Sequence, residues 1–350
     1  MKAFVMKEIG SVGVIDKDKP EAGPNDAILK PTKGLVCTSD VHTVGGAIGE
    51  KEDLTLGHEV VGIVDSVGEE VELYEPGDRV AVGAITPDWS SDASQRGYPS
   101  QSHGALGGWM FANVKDGTFA EYVHVNDADG NLASIPEGVS DEEAVYVTDM
   151  LSTGFAGAEN AVIPLGGTVA VFAQGPVGLM ATKGAVLKGA ARVYAVETDS
   201  KRAELARSYG ADEVIDFQEV DPVEKIMELT DGRGVDSSIE ALGSSKTFED
   251  CVDVTRPGGA VSNIGYHGEG EFVRIPRNGW GVGMSDITIN TALCPGGRVR
   301  LERLLRLIDE GKVDPTAMTT HRFSFDEVEQ GYELMKTKED GVIKPLIEFE

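Results

Sequence analysis

The sequence predicts an α/β protein with two domains of different architecture. A chain of 350 residues is longer than one ordinary domain, and two domains of that combined length can each bury a core. The N-terminal part contains short alternating strands separated by Gly, Pro and Asp, which is typical of a β-rich barrel. The middle of the chain alternates apolar strands with helices, which predicts a parallel, doubly wound sheet.

The two ends of the chain supply the predicted β-rich domain. Strands are predicted within residues 1–8, 57–64 and 80–85, and the last segment contains a predicted helix at 299–310 and a predicted strand at 342–348. The N-terminus lacks the apolar segment of a signal peptide, and no run of eighteen apolar residues could span a bilayer. The three cysteines are too few and too scattered for a disulfide framework. We therefore expect a cytoplasmic protein.

The middle of the chain is predicted to form strands separated by helices. The predicted strands are 168–173, 192–196, 213–217, 235–241, 260–265 and 287–293. The predicted helices are 179–188, 201–209, 223–229 and 248–254. A parallel sheet with helices on its faces follows from this order.

The turn after the first of these strands, Gly175-Pro176-Val177-Gly178, has a dinucleotide-binding pattern. Gly175 would let the backbone approach a pyrophosphate, and Gly178 would let the next helix pack closely on the strand. Ala173 stands where the pattern usually has its first glycine. Glu197 ends the second strand, where such a unit places the carboxylate that binds the adenosine ribose. The complete order favours dinucleotide binding over a βαβ unit without a phosphate ligand.

The net charge of −28, from 59 acidic and 31 basic residues, limits the partners of this protein. Nucleic acid and anionic membranes both require a basic surface, so neither is expected. The acidic residues are dispersed in short clusters, which predicts a solvated acidic surface adapted to a high-salt cytoplasm. At molar salt the screening length is only about 3 Å, which relieves the self-repulsion. An ordinary acidic protein is the alternative.

Cys37 and His58 are candidate zinc ligands. Thiolate and imidazole are preferred zinc donors, and a catalytic site uses three protein ligands so that a fourth position stays open. Either residue alone has an ordinary alternative, since buried cysteine and histidine are often structural. Together with a dinucleotide motif in the other domain, the pair predicts hydride transfer in a cleft between the domains.

A longer signature continues from the histidine, with Gly57-His58-Glu59 followed by Gly62, Gly68 and Val71. It resembles that of the zinc-dependent medium-chain alcohol dehydrogenases. The chain is further similar to their tetrameric secondary-alcohol branch in the segments 37–43, 84–89, 113–117, 124–129, 175–181 and 293–298. The resemblance implies a GroES-like catalytic domain from residues 1–152 and 294–350, a Rossmann cofactor domain from residues 153–293, and a homotetramer.

The resemblance also implies the remaining zinc ligands. Asp149 would be the third ligand, although an aspartate before a helix is otherwise read as an N-cap. Glu59 would be a fourth or exchangeable ligand. Relatives with a structural zinc have four closely spaced cysteines where this chain has none between residues 86 and 121. We therefore expect one catalytic zinc for each subunit and no structural zinc.

Further residues are assigned by the same resemblance. Ser39 would begin a proton relay from the substrate, and His42 would be its distal histidine, with a surface imidazole as the alternative for His42. The predicted substrate pocket for small alcohols and ketones is lined by Ser39, Ala84, Trp109, Tyr266, Leu293 and Cys294.

The choice of nicotinamide depends on the end of the second strand. Several similar dehydrogenases prefer the 2′-phosphorylated cofactor and have a small residue there, whereas this chain has Glu197. A carboxylate accepts hydrogen bonds from ribose hydroxyls and repels a 2′-phosphate, so NAD is favoured. Lys201 and Arg202 leave NADP possible, because either cation could bind a phosphate.

Three other functions are compatible with parts of this pattern. A polyol or amino-alcohol dehydrogenase of the same family would use the same ligands. A zinc-free quinone or enoyl reductase would keep the nucleotide motif but would not need Cys37, His58 and Asp149. A binding protein without catalytic activity would need neither complete set.

Overall fold

The computed structural model describes residues 1–102 and 109–350. The strands are β1 Lys2–Glu8, β2 Ser11–Asp16, β3 Ala27–Leu35, β4 Leu54–Thr55, β5 Val60–Val67, β6 Arg79–Val82, β7 Val123–Val125, β8 Leu132–Ser134, β9 Thr168–Phe172, β10 Arg192–Val196, β11 Glu213–Ile215, β12 Val235–Glu240, β13 Thr255–Asn263, β14 Thr288–Thr291, β15 Thr319–Ser324 and β16 Lys344–Glu348.

The α-helices are α1 Thr38–Val44, α2 Asp92–Gln95, α3 Ala128–Asn131, α4 Asp141–Val145, α5 Met150–Asn160, α6 Pro176–Leu187, α7 Ser200–Ser208, α8 Pro222–Leu229, α9 Ser245–Val254, α10 Arg298–Asp309 and α11 Val328–Thr337. The chain divides into two compact units, one formed by Met1–Ser152 with Cys294–Glu350 and the other by Thr153–Leu293. Within the described ranges, no helix has both the length and the apolar character needed to cross a bilayer.

The first unit is β-rich. Its larger sheet has the order β15-β16-β3-β5-β6-β8, with β7 also pairing with β3, and a smaller sheet has the order β2-β1-β4. Most pairs are antiparallel, and β16 near the C-terminus pairs with β3 near the N-terminus. The apolar clusters of this unit include one around Leu29, Val60 and Phe111 and another around Phe4, Phe119 and Tyr332.

The register of three strands in this sheet places distant residues side by side. Gly34 in β3 lies opposite Val60 in β5, so the residues after β3 come close to those before β5. On the other side, Leu35 lies opposite Leu346 in β16. The backbone N–H of Val36 donates to the carbonyl of Pro345 at 3.1 Å, which brings the start of β16 beside the end of β3.

The second unit is a parallel sheet with the order β11-β10-β9-β12-β13-β14. The chain runs outward from β9 through β10 to β11, and then returns to β12 and runs outward in the other direction. The strand order therefore reverses between β9 and β12, and a doubly wound sheet binds ligands at the carboxyl ends of the strands at such a point. The β-rich first unit and the parallel sheet of the second unit confirm the predicted fold class.

Two boundaries around β9 differ from the predicted ones for physical reasons. The predicted strand extends to Ala173, but β9 ends at Phe172 because Ala173 has a left-handed backbone with φ of 70°. Helix α6 begins at Pro176, three residues before the predicted start. Proline suits the first turn of a helix, since its fixed φ is already helical and the missing N–H has no partner there.

Candidate active site

Four potential metal donors meet in the first unit. Cys37, His58, Glu59 and Asp149 each offer one ligand atom, and these atoms all lie within 4.8 Å of one another. Cys37 is half-buried, the His58 and Glu59 side chains are 3% and 0% exposed, and that of Asp149 is 14% exposed. Thiolate, imidazole and carboxylate so close together and so poorly hydrated match the donor set of a catalytic zinc.

Local structure explains why three of these residues converge. Cys37 follows β3 and is the N-cap of α1, and His58 and Glu59 precede β5. Gly57 has φ of 88°, and a Cβ at this position would lie 2.7 Å from the ring of Phe119. Glycine is therefore required where the chain turns into β5, since other residues disfavour this φ and the space is filled.

Asp40 fixes the relative positions of two of the donors, and we did not predict this role from the sequence. It is fully buried, and its carboxylate accepts hydrogen bonds from the backbone N–H groups of Cys37, at 2.8 Å, and Gly57, at 3.2 Å. Its Oδ1 atom lies 3.3 Å from His58 Nδ1. This contact is electrostatic, because Nδ1 has no hydrogen bond of good geometry. The available signal was Asp40 at the third helical position after Cys37, which resembles an ordinary capping box.

With Nδ1 facing Asp40, the Nε2 atom of His58 faces the other donors. It lies 3.6 Å from Asp149 Oδ2, 3.9 Å from Glu59 Oε1 and 3.2 Å from Ser39 Oγ. The Asp149 carboxylate thus faces the donor cluster, although Asp149 directly precedes α5, where a cap was the alternative. A carboxylate beside one ring nitrogen, with the other nitrogen turned toward the remaining donors, is the usual arrangement of a metal-binding histidine.

Charges within the cluster change the pKa values of its members. Burial alone would raise the pKa of the Cys37 thiol, but the neighbouring Lys344 ammonium and His58 outweigh it and lower this pKa to about 7. Burial alone would lower the pKa of His58, but the Asp40 and Asp149 carboxylates raise it well above its ordinary value. A thiolate is therefore accessible near neutral pH, and thiolate is the form that binds metal.

Lys344 is a second residue whose part in the site we did not predict. Its Nζ atom donates to Glu59 Oε1, and the two side chains are 1% and 0% exposed. Burial alone would lower the pKa of Lys344, but the negative charges of Cys37, Glu59 and Asp149 raise it. The only signal for this role in the sequence is a lysine at the start of the strand Lys344–Glu348. A charged residue at a strand end is also common at the surface.

The predicted relay residues occupy one helix. Ser39 and His42 are three residues apart on α1, which places them on the same helical face. Ser39 is half-buried beside His58, and His42 is exposed. The helix thus leads from the donor cluster toward solvent.

Besides Ser39, three of the predicted pocket residues belong to the first unit. Trp109 packs its ring edge-on against His58, with the centroids 5.3 Å apart. The backbone N–H of Ala84 donates to the carbonyl of Thr148, next to Asp149. Cys294 is buried, and its carbonyl accepts a hydrogen bond from Ser100 Oγ at 3.0 Å.

The other two pocket residues, Tyr266 and Leu293, belong to the second unit. Tyr266 is 43% exposed, and Leu293 is half-buried. A pocket that these two share with Ala84, Trp109 and Cys294 stays a prediction.

The dinucleotide motif lies at the carboxyl end of β9, in the second unit. Gly175 is the N-cap of α6, and a Cβ built on it would meet no atom within 4 Å, so the space above this backbone is open. A Cβ on Gly178 would lie 1.9 Å from the Ala173 carbonyl oxygen, so only glycine fits. Pro176 and Val177 form the first turn of the helix, whose N-terminus favours an anion.

Glu197 directly follows β10 and is surrounded by hydrogen-bond donors. Its side chain is 4% exposed and forms a paired contact with the Arg202 guanidinium, with Nε and one terminal nitrogen each at 2.9 Å. It also accepts hydrogen bonds from the backbone N–H groups of Gln174, Thr198 and Asp199. Burial alone would raise the pKa of Glu197, but Arg202 and these N–H groups lower it. The carboxylate is therefore ionised at neutral pH.

Comparison with known proteins relates both units to one family. A profile described as "Alcohol dehydrogenase GroES-like domain" matches residues 23–137, and one described as "Zinc-binding dehydrogenase" matches residues 176–310. A solved structure, zinc dependent alcohol dehydrogenase 2 from Streptococcus pneumonia, is similar with a TM-score of 0.90 and 32% identity, over 100% of this chain and 99% of that one.

Similarity in sequence extends over nearly the whole chain. The NADP-dependent isopropanol dehydrogenase of Thermoanaerobacter brockii is 50% identical over 349 residues, which are 99% of each chain. The NADP-dependent isopropanol dehydrogenase of Entamoeba histolytica is 48% identical, over 99% of this chain and 95% of that one. On this similarity and the matching folds, the chain belongs to the zinc-dependent medium-chain alcohol dehydrogenase family.

Proposed function

We propose that this protein interconverts secondary alcohols and ketones by hydride transfer to and from NAD, with one catalytic zinc for each chain. The observation that carries the proposal is the group of four donors, Cys37, His58, Glu59 and Asp149, within 4.8 Å. A zinc-free quinone or enoyl reductase would have no use for this group.

The donor cluster fits a zinc ion by two tests that are independent of the family. The side chains include one thiolate, one imidazole and two carboxylates, all of which are zinc ligands. In addition, Glu59 Oε2 is buried and has no hydrogen-bond partner in the structure. Lys344 donates to the other oxygen, Oε1, and a buried carboxylate oxygen without a partner is unfavourable, which suggests a second cation on the side of Oε2. Cys37, His58 and Asp149 would hold the ion.

When bound, zinc would polarise the substrate oxygen and lower the pKa of an alcohol enough for the reaction to proceed near neutral pH. The residues of the chain have their own parts in this chemistry. Asp40 orients His58, and Trp109 packs edge-on against the histidine ring. Ser39, beside His58, would take the alcohol proton, and His42 on the same helical face would pass it to solvent.

Substrate preference is proposed from the relatives and the lining residues. Two relatives are named isopropanol dehydrogenases. Apolar and aromatic side chains at Ala84 and Trp109 suit a small secondary alcohol better than a polyol, whose hydroxyl groups need several polar partners. Initial rates on propan-2-ol, butane-2,3-diol, sorbitol and ethanol test this order. Faster turnover of sorbitol than of propan-2-ol would instead support a polyol dehydrogenase.

NAD is proposed as the cofactor, although the relatives described above are named NADP-dependent. Glu197 and the adjacent Asp199 bring two carboxylates to the end of β10, and the Arg202 guanidinium is already paired with Glu197. A 2′-phosphate would therefore meet two carboxylates with Arg202 already paired, which leaves Lys201 as the cation that could offset them at this strand end. The ratio of kcat/KM for NAD and NADP, measured with propan-2-ol, tests the proposal. A ratio in favour of NADP would overturn it.

The oligomeric state, the cellular location and the adaptation to salt are proposed from the resemblance and the composition. A homotetramer follows from the resemblance to the secondary-alcohol branch, and light scattering tests the assembly. A cytoplasmic location is proposed from the three scattered cysteines, which suit a reducing compartment. Adaptation to salt follows from the net charge of −28. Salt screens such a charge, so the Tm should rise between low and molar KCl. A Tm that does not rise would identify an ordinary acidic protein.

A further inference from the structure

Outside the two candidate sites, Asp26, His124 and Lys115 form a chain of polar contacts in the first unit. His124 Nε2 lies 2.9 Å from Asp26 Oδ2, and His124 Nδ1 lies 3.2 Å from Lys115 Nζ. Lys115 Nζ also donates to the His124 carbonyl at 2.9 Å and to Asn126 Oδ1 at 3.1 Å. The His124 and Asp26 side chains are 29% and 23% exposed, and Lys115 is half-buried. The proposed reaction uses none of these residues.

The neighbours of His124 determine which ring nitrogen carries its proton. Burial and the Lys115 charge lower the pKa of His124, although Asp26 raises it, so the ring is neutral at pH 7. A carboxylate only accepts hydrogen bonds, so Nε2 donates to Asp26, and the unprotonated Nδ1 faces the Lys115 ammonium. A base that a carboxylate orients toward a nucleophile is the arrangement that activates nucleophiles in many enzymes.

The surroundings of Lys115 favour loss of its proton. Its amino group lies 4.7 Å from the centroid of the Phe111 ring, on a side that offers little hydration. Burial lowers the pKa of Lys115 to about 7, and the attraction of the Asp26 and Asp127 carboxylates only partly opposes this effect. Near neutral pH a large fraction of Lys115 is therefore the free amine, which is the nucleophilic form.

We propose that Lys115 is a nucleophile that binds small aldehydes and ketones reversibly as an imine, with His124 as its base and Asp26 as the residue that orients this base. His124 takes one proton from the Lys115 ammonium, and the nitrogen then forms a bond to the carbonyl carbon. A second proton moves from the nitrogen to the oxygen, and His124 returns the first. The oxygen leaves as water, and a positively charged iminium remains on Lys115.

The local charge favours an imine over an acyl group at this position. An iminium keeps the positive charge that the Asp26 and Asp127 carboxylates attract, whereas acylation would leave an uncharged amide. The proposed reaction would supply ketones, but formation of the imine requires neither zinc nor NAD. Failure of the proposed function would therefore leave this inference intact.

Reductive trapping with acetaldehyde tests this inference on the full-length protein, because cyanoborohydride converts an iminium into a stable ethylated lysine. Peptide mass spectrometry then gives the rate at each lysine. At pH 7 we expect Lys115 to react at least about tenfold faster than Lys2 and Lys336, whose side chains are 52% and 47% exposed. Between pH 7 and 9 the rate at Lys115 should level off, while the rates at the two exposed lysines continue to rise.

Two variants separate the base from a general structural effect. His124→Asn keeps a polar side chain but removes the base, so the rate at Lys115 should fall at least about tenfold while the exposed lysines react as before. His321→Asn is the matched control, because His321 also lies beside an aspartate, with Nε2 at 3.2 Å from Asp340 Oδ2, but belongs to strand β15. This control should leave the rate at Lys115 unchanged.

Three results would overturn the inference. One is a rate at Lys115 that does not exceed the rates at the exposed lysines at pH 7. Another is a rate at Lys115 that rises in parallel with theirs up to pH 9. The third is an unchanged rate at Lys115 in folded His124→Asn. If that variant does not fold, the two measurements on the wild type decide the question.

Discussion

The two candidate sites are built in opposite ways. The dinucleotide site comes from one continuous stretch between Ala173 and Arg202, in which strand, turn, helix and strand follow one another. The metal site comes from residues around 37, 58 and 344, which the register of β3, β5 and β16 brings together, and from Asp149, which directly precedes α5. Local spacing is therefore enough to propose the first site, whereas the second depends on strand pairing that spacing does not reveal. Five changes test this comparison, in order of decreasing effect.

The largest effect is expected for Cys37→Ala. Loss of a direct ligand should lower zinc affinity by more than the roughly 100-fold that is typical for loss of an outer partner, and activity should be lost with the zinc. Zinc content by atomic absorption and the rate with propan-2-ol measure both. Cys251→Ala is the matched control, because Cys251 is equally a free cysteine but lies in the core of the other unit. Equal zinc loss in both variants would contradict the assignment.

Asp40→Asn tests whether a residue outside the donor set supports the metal site. The uncharged amide keeps the shape but loses the attraction to His58 and a hydrogen-bond acceptor. Zinc affinity should fall about 10–100-fold, as chelator competition would measure. Asp326→Asn, at an exposed carboxylate of the same unit, is the control. A zinc affinity equal to that of the wild type in Asp40→Asn would show that Asp40 serves only as a helix cap.

Glu197→Ser tests the second site. It removes the carboxylate that opposes a 2′-phosphate and releases the Arg202 guanidinium, so kcat/KM should shift toward NADP by about tenfold, or roughly 1.4 kcal/mol. Glu197→Ser with Arg202→Gln should lose most of this gain. If NADP use does not increase in the single variant, Glu197 does not select the cofactor.

The two sites should also differ in their response to pH. Zinc must displace protons from Cys37, whose pKa is about 7, and from His58, whose pKa is raised, so zinc affinity of the metal-free protein should rise with pH. A raised His58 pKa stabilises the metal-free fold below its unfolded pKa, and this contribution is lost as pH rises through the folded pKa. The pKa of Glu197 is lowered, so its contribution is lost only as pH falls into the acidic range. Calorimetric titrations with zinc and with NAD between pH 6 and 8 should show a pH slope for zinc alone.

The smallest effect is expected for Ala173→Gly. Ala173 has φ of 70°, which is unfavourable for alanine by about 1–2 kcal/mol, whereas glycine loses about 0.5–1 kcal/mol of chain entropy. The free energy of unfolding should therefore rise by up to about 1 kcal/mol in a urea titration. Gly178→Ala is the contrasting change and should destabilise the protein, because its Cβ would meet the Ala173 carbonyl. A stability loss in Ala173→Gly would show that the left-handed residue is not strained.

How far the sequence predicts each site follows from these contacts. Gly175, Gly178 and Glu197 could be assigned from spacing alone, since one βαβ unit contains them. Cys37 and His58 were assigned from donor chemistry, and Asp149 only from resemblance. Asp40 and Lys344 were missed, because a capping aspartate and a lysine at the start of a strand have ordinary explanations until the fold buries them.

The roles of Ala173 and Arg202 also depend on structure that the sequence does not show. The sequence shows that Ala173 replaces a glycine, but only the backbone shows that it keeps the left-handed conformation of the pattern. Arg202 was predicted as a possible phosphate contact, and the structure pairs it instead with Glu197. The backbone conformation thus decides the role of Ala173, and the ion pair with Glu197 decides the role of Arg202.

Zinc reconstitution tests the central claim most directly. Chelator-treated protein in molar KCl is titrated with zinc while propan-2-ol-dependent reduction of NAD is followed. We predict that activity returns in proportion to bound zinc and saturates at one ion for each chain. Activity that is independent of zinc, or that requires a second ion for each chain, would contradict the account of a single metal site assembled by strand register.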